Sequence, residues 1–331
     1  MVIAVSLGSE VANAQLLSMG LNAKQIYFAE QQREKYGKRV RYYLSNCLCG
    51  LMAWQDKNQS SHIIERDADL IEFVYDRLAD DRSRDIFVSR IALCLVGESY
   101  GALNEFLDEY SDTVIENTKK FGLSWSSPMA ETEYKYYFNQ DFIEYNDNEV
   151  FVDVGAENGN TVIPFIEHLY QKNLKPKHIY AFEPDPDTFR FLKQNVGGVE
   201  YVSVENSGVG SKNGELRFRK SSMFGAYRYC GHISPDGDIS VNIHTIDSYF
   251  IDTPVSFLKF DPSGDAIIAG LEGASGIISQ RKPKIIAGAY HQIENLYRIP
   301  KMLLELDSNY RVYLRHLAFH ANETHAFAIP A

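Results

Sequence analysis

Apolar positions in this chain follow two rhythms, and the change between them falls near residue 130. In the second part, short apolar runs at 150–154, 178–182, 200–204, 256–260 and 284–289 read as strands. Stretches of helical spacing at 161–171, 186–195 and 265–280 lie between them. Strands that alternate with helices build a mostly parallel α/β sheet covered on both faces. The last two runs, 311–315 and 325–329, are separated by a turn-like link with no helix. They predict an antiparallel hairpin at one sheet edge. Residues 220–238 are rich in turn formers and aromatics and read as a long loop that either shapes a pocket, with Tyr227, Arg228 and Tyr229 as candidate contacts, or is simply exposed.

The first part reads differently. Residues 2–7 and 23–29 read as strands around a helix at 9–19, a remnant too short for a nucleotide-binding domain. From about 36 to 120 the pattern is helical. Ile64, Leu70, Ile71, Phe73, Val74 and Leu78 recur at helical spacing, and 83–94 and 102–110 continue it. Loop-like residues at 124–132 separate the parts, so two domains are expected: an α/β remnant with a helical region over 1–130, and an α/β domain over 131–331.

Composition narrows the function. The 331 residues are 45% hydrophobic and 23% charged, ordinary for a soluble globular protein. A formal charge of −11 argues against a nucleic-acid partner, which clustered Lys and Arg would bind. No apolar run reaches the roughly 18 residues of a membrane span. No basic region leads into a long apolar stretch, so no signal peptide is read and a cytoplasmic protein is expected. Cys47, Cys49, Cys94 and Cys230 form no zinc pattern and read as reduced thiols.

The candidate chemistry sits at strand ends. Val150 to Gly159 reads VFVDVGAENG, an apolar strand that runs into Asp153 and then a turn of Gly155, Ala156, Glu157, Asn158 and Gly159. Glycines permit positive φ and close backbone approach to a ligand. The spacing is G-x-x-x-G, a poor match to the G-x-G-x-x-G of a dinucleotide site. A plain strand–turn–helix corner fits this segment alone. The next strand tips the reading, because it also ends in an acid: Glu183 can accept hydrogen bonds from both ribose hydroxyls of a nucleoside. Asn206 and Ser207 follow a third strand and either face the adenine or form an ordinary turn. A fourth strand ends in Asp261, which can orient an acceptor hydroxyl or take its proton. Tyr290 and His291 follow the fifth strand at the same sheet edge; His291 is a candidate base, although most histidines are structural. No metal is demanded: Asp247, Asp261 and His291 are the groups that would gather around an ion, yet they form no tight ligand motif.

Residues from about 136 to 330 resemble the FkbM family of S-adenosylmethionine-dependent methyltransferases. The carrying segments are VFVDVGAENGNT, IYAFEPDPDTFRFLKQN, Thr245-Ile246-Asp247-Ser248, FLKFDPSG, RKPKIIAGAYH and NLYRIPKMLLELDSNYRVYLRH. Residues 74–97 are similar to the helical region that precedes the catalytic domain in one branch of the family. The resemblance implies a Rossmann-like class I methyltransferase fold with a mostly parallel seven-stranded sheet closed by an antiparallel hairpin. It implies S-adenosylmethionine as cofactor, held by Asp153, Gly155 and Glu183, with Asp261 at the reaction centre. It further implies a small hydroxylated acceptor such as a sugar, and leaves the oligomeric state open, a dimer being one option. The chain departs from the family where two glutamates are usual: Ser263 and Ala266 stand there, and Asp265 is shifted by one position. A catalytically impaired, cofactor-binding relative is therefore the second reading. A nucleotide-sugar dehydrogenase, which would bind NAD, is the third.

Overall fold

The computed structural model describes residues 57–96, 137–220, 222–224, 227–229, 231–317 and 323–331. The expected elements at 2–29 and 102–110 and the expected boundary loop at 124–132 lie outside the described residues. So do Cys47, Cys49 and Cys230. Among the described residues, 57–96, 292–301, 313–317 and 323–325 fall in one compact unit and the remainder in a second.

The first unit contains α1 (Lys57–Arg66), α2 (Ala68–Arg77) and α3 (Asp81–Val96). Ile64, Ile71, Val74, Leu78, Ile86, Phe87 and Ile91 are the buried apolar positions of this helical stretch, so the helical spacing of the sequence marks one packed side. Asp80 accepts from Ser83 N at 2.8 Å and from Arg315 Nη2 at 2.6 Å. Arg315 and Ser83 hold the Asp80 carboxyl below its ordinary range against the opposing effect of burial.

Mixed α/β structure follows: β1 (Glu149–Val154), α4 (Val162–Gln171), β2 (Pro176–Phe182), α5 (Pro186–Val196), β3 (Val202–Glu205), β4 (Gly208–Val209), β5 (Gly214–Arg219), β6 (Ser222–Phe224), β7 (Tyr227–Tyr229), β8 (His232–Ile233), β9 (Ile239–His244), α6 (Ile246–Tyr249), β10 (Phe257–Phe260), α7 (Ala266–Glu272), α8 (Ser275–Arg281), β11 (Lys284–Gly288), α9 (Asn295–Leu306), β12 (Tyr310–His316) and β13 (Thr324–Pro330). Seven strands form one sheet in the order β12-β13-β11-β10-β1-β2-β3. β1, β2, β3, β10 and β11 pair in parallel. β12 and β13 are adjacent, and neighbours joined by so short a link form a hairpin. The central strands β1, β10 and β11 are buried at every position, as expected for a sheet covered on both faces. Phe151, Phe165 and Phe257 fill one face, with Phe151 and Phe165 ring centroids 4.3 Å apart. From β1 the chain steps outward to β2 and β3, then returns to β10 on the other side of β1. This reversal makes the gap between β1 and β10 the switch point, where open α/β sheets receive ligands beyond the carboxyl ends of their strands.

Two features differ from the sequence reading. The helix expected over 265–280 is two helices. The Gly273 carbonyl leaves the helical pattern and accepts from Asp247 N at 2.9 Å, and only glycine fits there against the Gly210 carbonyl. Asp247 completes the break by accepting from Gly276 N at 2.9 Å and Ile277 N at 2.8 Å, which caps α8. Asp247 therefore serves a helix end. Residues 220–238, read as a loop, contain three short strands: β6 pairs with β7, and β8 joins a four-stranded sheet of order β4-β9-β5-β8. Phe218, Val241 and Ile243 form that sheet's small core.

Candidate active site

The turn after β1 is held mainly by backbone groups. Gly155 and Ala156 each donate their N–H to the Phe182 carbonyl at 3.0 Å, which ties the turn to the end of β2. Gly155 and Gly159 take φ of +78° and +90°. A Cβ on Gly155 would stand 3.0 Å from the Asp261 carbonyl carbon and oxygen and from Pro262 N. Glycine is thus required twice over at 155, by its dihedral and by close approach to the end of β10. Asn158 is fixed through its carbonyl, which accepts from Asn195 Nδ2 at 2.8 Å.

Glu183 ends β2 with a buried carboxylate. One oxygen accepts Glu157 N at 3.1 Å and the other Asp185 N at 2.8 Å. Burial pushes its pKa up to about 8, with the Asp185 and Glu157 charges adding to the rise and the two N–H donors opposing it. Asp185 caps α5 by accepting Asp187 N at 2.9 Å, and Pro186 fits the first helical turn. Asn206 donates to the Glu183 carbonyl at 2.9 Å and the Pro184 carbonyl at 3.2 Å, so it braces this strand end. Ser207 is buried, and its hydroxyl has no hydrogen-bond partner among the described residues.

Asp153 points into the protein. It is 0% exposed, with Lys259 Nζ at 3.1 Å and the Thr161 hydroxyl bonded to its other oxygen. Lys259 is its register partner on β10 and is 2% exposed. The same ammonium donates to the Gly155 carbonyl at 3.2 Å.

The end of β10 gathers side chains. Asp261 Oδ1 accepts from the Tyr290 hydroxyl at 3.0 Å and faces His291 Nε2 at 3.2 Å; Oδ2 accepts from the Tyr137 hydroxyl at 3.4 Å. The Tyr290 and His291 rings lie 4.2 Å apart. Gly288 permits this cluster, because a Cβ there would stand 2.3 Å from Asp261 Oδ1. Beyond Asp261, the Ser263 hydroxyl donates to the Gly231 carbonyl at 2.8 Å, and Asp265 is exposed at the start of α7 without capping it.

A family profile for the methyltransferase FkbM domain matches residues 153–320, just over half of the 331-residue chain. The chain belongs to the FkbM methyltransferase family. Among solved structures, methyltransferase FkbM from Methylobacillus flagellatus KT superposes with a TM-score of 0.59 at 21% identity, over 81% of this chain and 60% of that one. This chain therefore spans about 60% of that protein's length, and the likeness shows the fold. An rRNA methylase from Streptococcus thermophilus gives a TM-score of 0.36 at 13% identity, over 61% of this chain and 94% of that one. Fibrillarin from Aeropyrum pernix, in complex with S-adenosyl-L-methionine, gives 0.35 at 12% identity, over 59% and 73%. No curated protein sequence matches the chain. No helix among the described residues is long and apolar enough to cross a membrane.

In this FkbM-family chain Asp153, predicted to hold the cofactor, is turned inward onto Lys259, and the other predicted residues divide into two groups. Gly155, Ala156, Glu157, Asn158, Gly159 and Glu183 share one strand-end edge, with Asn206 bracing it and Ser207 following on the same loop. Asp261 and His291 meet beside it, at the end of β10. The donor set suits a nucleoside without phosphates: a carboxylate with about four lone-pair sites keeps two beyond its two N–H partners, and the two glycines leave backbone bare. Sequence reading missed Tyr137 and Lys259. Tyr137 carried no signal, since it lies far from every strand end in sequence. Lys259 did carry one: it is a lone charge inside an otherwise apolar strand, FLKF.

Proposed function

We propose that the protein is an S-adenosylmethionine-dependent O-methyltransferase acting on a hydroxyl of a sugar, glycan or other small natural product. The carrying observation is that the glycine turn and the Asp261 cluster touch: Gly155 packs against the Asp261 backbone with no room for a Cβ. A nucleoside cofactor at the turn and the Asp261–His291 pair are therefore neighbours. S-adenosylmethionine, when bound, supplies a sulfonium-activated methyl group.

The chain's own residues bind, orient and remove a proton. Glu183 receives the ribose hydroxyls on its remaining lone pairs. Asp261 accepts from the two phenols and from His291. A carboxylate has no proton to give, so the hydrogen of that last bond is assigned to His291 Nε2. Nδ1 then keeps its lone pair and would take the proton of an acceptor hydroxyl. Tyr137 and Tyr290 hold Asp261, and through it the imidazole, in one orientation.

The second reading, a cofactor-binding relative with a regulatory or scaffold role, is favoured by one observation. Ser263 is engaged with Gly231 and Asp265 faces solvent, so neither supplies the carboxylate usual in the family. Calorimetric titration with S-adenosylhomocysteine, followed by transfer of labelled methyl to a panel of sugars and other hydroxylated acceptors, separates the readings. Binding with turnover supports the enzyme. Binding without turnover on any acceptor supports the second reading, and absence of binding sinks both.

A further inference from the structure

Asp153 ends the strand that enters the cofactor turn, yet its carboxylate is turned inward. A carboxylate excluded from solvent is unfavourable unless paired, and its partner here is Lys259, itself excluded from solvent. A buried ion pair is weak grounds for stability, since two apolar residues of similar volume often serve as well. What distinguishes this pair is a third contact. Lys259 Nζ also donates to the Gly155 carbonyl at 3.2 Å, at the residue where the turn adopts φ of +78° and packs on the end of β10. The Gly155 and Ala156 N–H groups are pinned from the other side by the Phe182 carbonyl. The peptides around Gly155 are therefore held from β2 on one side and from the β10 side on the other, where Asp261 N donates to the Val154 carbonyl at 3.0 Å and Lys259 holds the Gly155 carbonyl.

We propose that Lys259 is the positioning residue of the cofactor turn. It fixes the Gly155 carbonyl, and with it the run from 155 to 159, in the geometry that receives the nucleoside. Asp153 and Thr161 keep the ammonium in place and do not themselves touch the cofactor. The inference rests on the S-adenosylmethionine reading of the same site. It assigns different roles to two residues that a simple ion pair would make equivalent.

That difference is the test. S-adenosylhomocysteine affinity is measured by calorimetry, and melting temperature by scanning calorimetry, for wild type, Asp153→Asn, Lys259→Met and the double variant Asp153→Asn/Lys259→Met. Lys259→Met alone leaves Asp153 buried without its cation and will melt early; it can fail to fold. The double variant removes both charges and is expected to regain most of that stability. If Lys259 positions the turn, the double variant still binds S-adenosylhomocysteine roughly 10-fold to 100-fold more weakly than wild type, the worth of one charge-assisted hydrogen bond. Asp153→Asn leaves Lys259 buried without its counter-charge and melts early as well, yet its folded form keeps the nitrogen donor to Gly155 and binds more tightly than the double variant. A double variant that is folded and binds like wild type overturns the proposal, as does an Asp153→Asn variant that loses affinity as far as the double one. Wild type that binds no S-adenosylhomocysteine overturns the cofactor reading itself, a separate result.

Discussion

Gly155 and Gly288 lie at the ends of two strands of one sheet, and each leaves no room for a Cβ. At Gly155 the obstruction is backbone, the Asp261 carbonyl and Pro262 N at 3.0 Å. At Gly288 it is the tip of a side chain, Asp261 Oδ1 at 2.3 Å. The cofactor edge is thus assembled from main chain, and the reaction edge from side chains that converge on one carboxylate. Main-chain sites tolerate no adjustment, because moving one peptide moves its neighbours. Side-chain sites can shift a rotamer, keep the fold and lose only their alignment.

The same substitution at the two glycines should therefore give opposite phenotypes. Gly155→Ala imposes a strained φ together with a backbone clash, and about 1–3 kcal/mol of stability should be lost. S-adenosylhomocysteine binding should become undetectable by calorimetry. If Gly155→Ala binds normally, the main-chain description of this edge is wrong. On the other edge, His291→Ala should lower kcat by roughly 100-fold to 10,000-fold on the acceptor that wild type methylates, with S-adenosylhomocysteine affinity unchanged. A parallel loss of affinity would mean that the two edges are not separable. Gly288→Ala should be milder. It displaces the Asp261 carboxylate without removing any polar group, and should lower kcat roughly 10-fold with affinity and melting temperature close to wild type.

The contrast between the edges also explains what could be read in the sequence. Gly155, Gly159 and Glu183 stand at fixed offsets from apolar runs, because a strand that ends in a glycine turn writes its main-chain geometry into local spacing. The parallel sheet and its closing hairpin were legible for the same reason. The Asp261 cluster is not local. Tyr137, Asp261 and Tyr290 converge only after the sheet has formed, so Asp261 and His291 were readable as strand-end residues but their contact was not. Asp153 is the instructive intermediate. Its place at a strand end was plain, whereas its inward orientation depends on Lys259, more than a hundred residues away in sequence. The break between α7 and α8 was hidden likewise, since Gly273 meets Gly210 across the fold.

Glu183 offers the most informative effect, because it is a side chain working inside the main-chain edge. Burial raises its pKa from an ordinary 4.5 to about 8. Between those values the folded protein binds this proton more tightly than the unfolded chain does. The stability Glu183 contributes is therefore full below about pH 4.5 and is lost as pH rises through about 8. The slope from one such group is at most about 1.4 kcal/mol per pH unit. Urea unfolding of wild type and Glu183→Gln across this range should show that slope in wild type and its absence in the variant. A cofactor whose ribose hydroxyls donate to the carboxylate favours the ionised form and must expel the proton on binding. Near neutral pH, the heat of S-adenosylhomocysteine binding to wild type should therefore vary with the ionisation enthalpy of the buffer, with the sign of proton release. Glu183→Gln should bind with heats that no longer include this proton. Equal proton release by both proteins would remove Glu183 from the ribose site and leave the glycine turn as the whole of the cofactor edge.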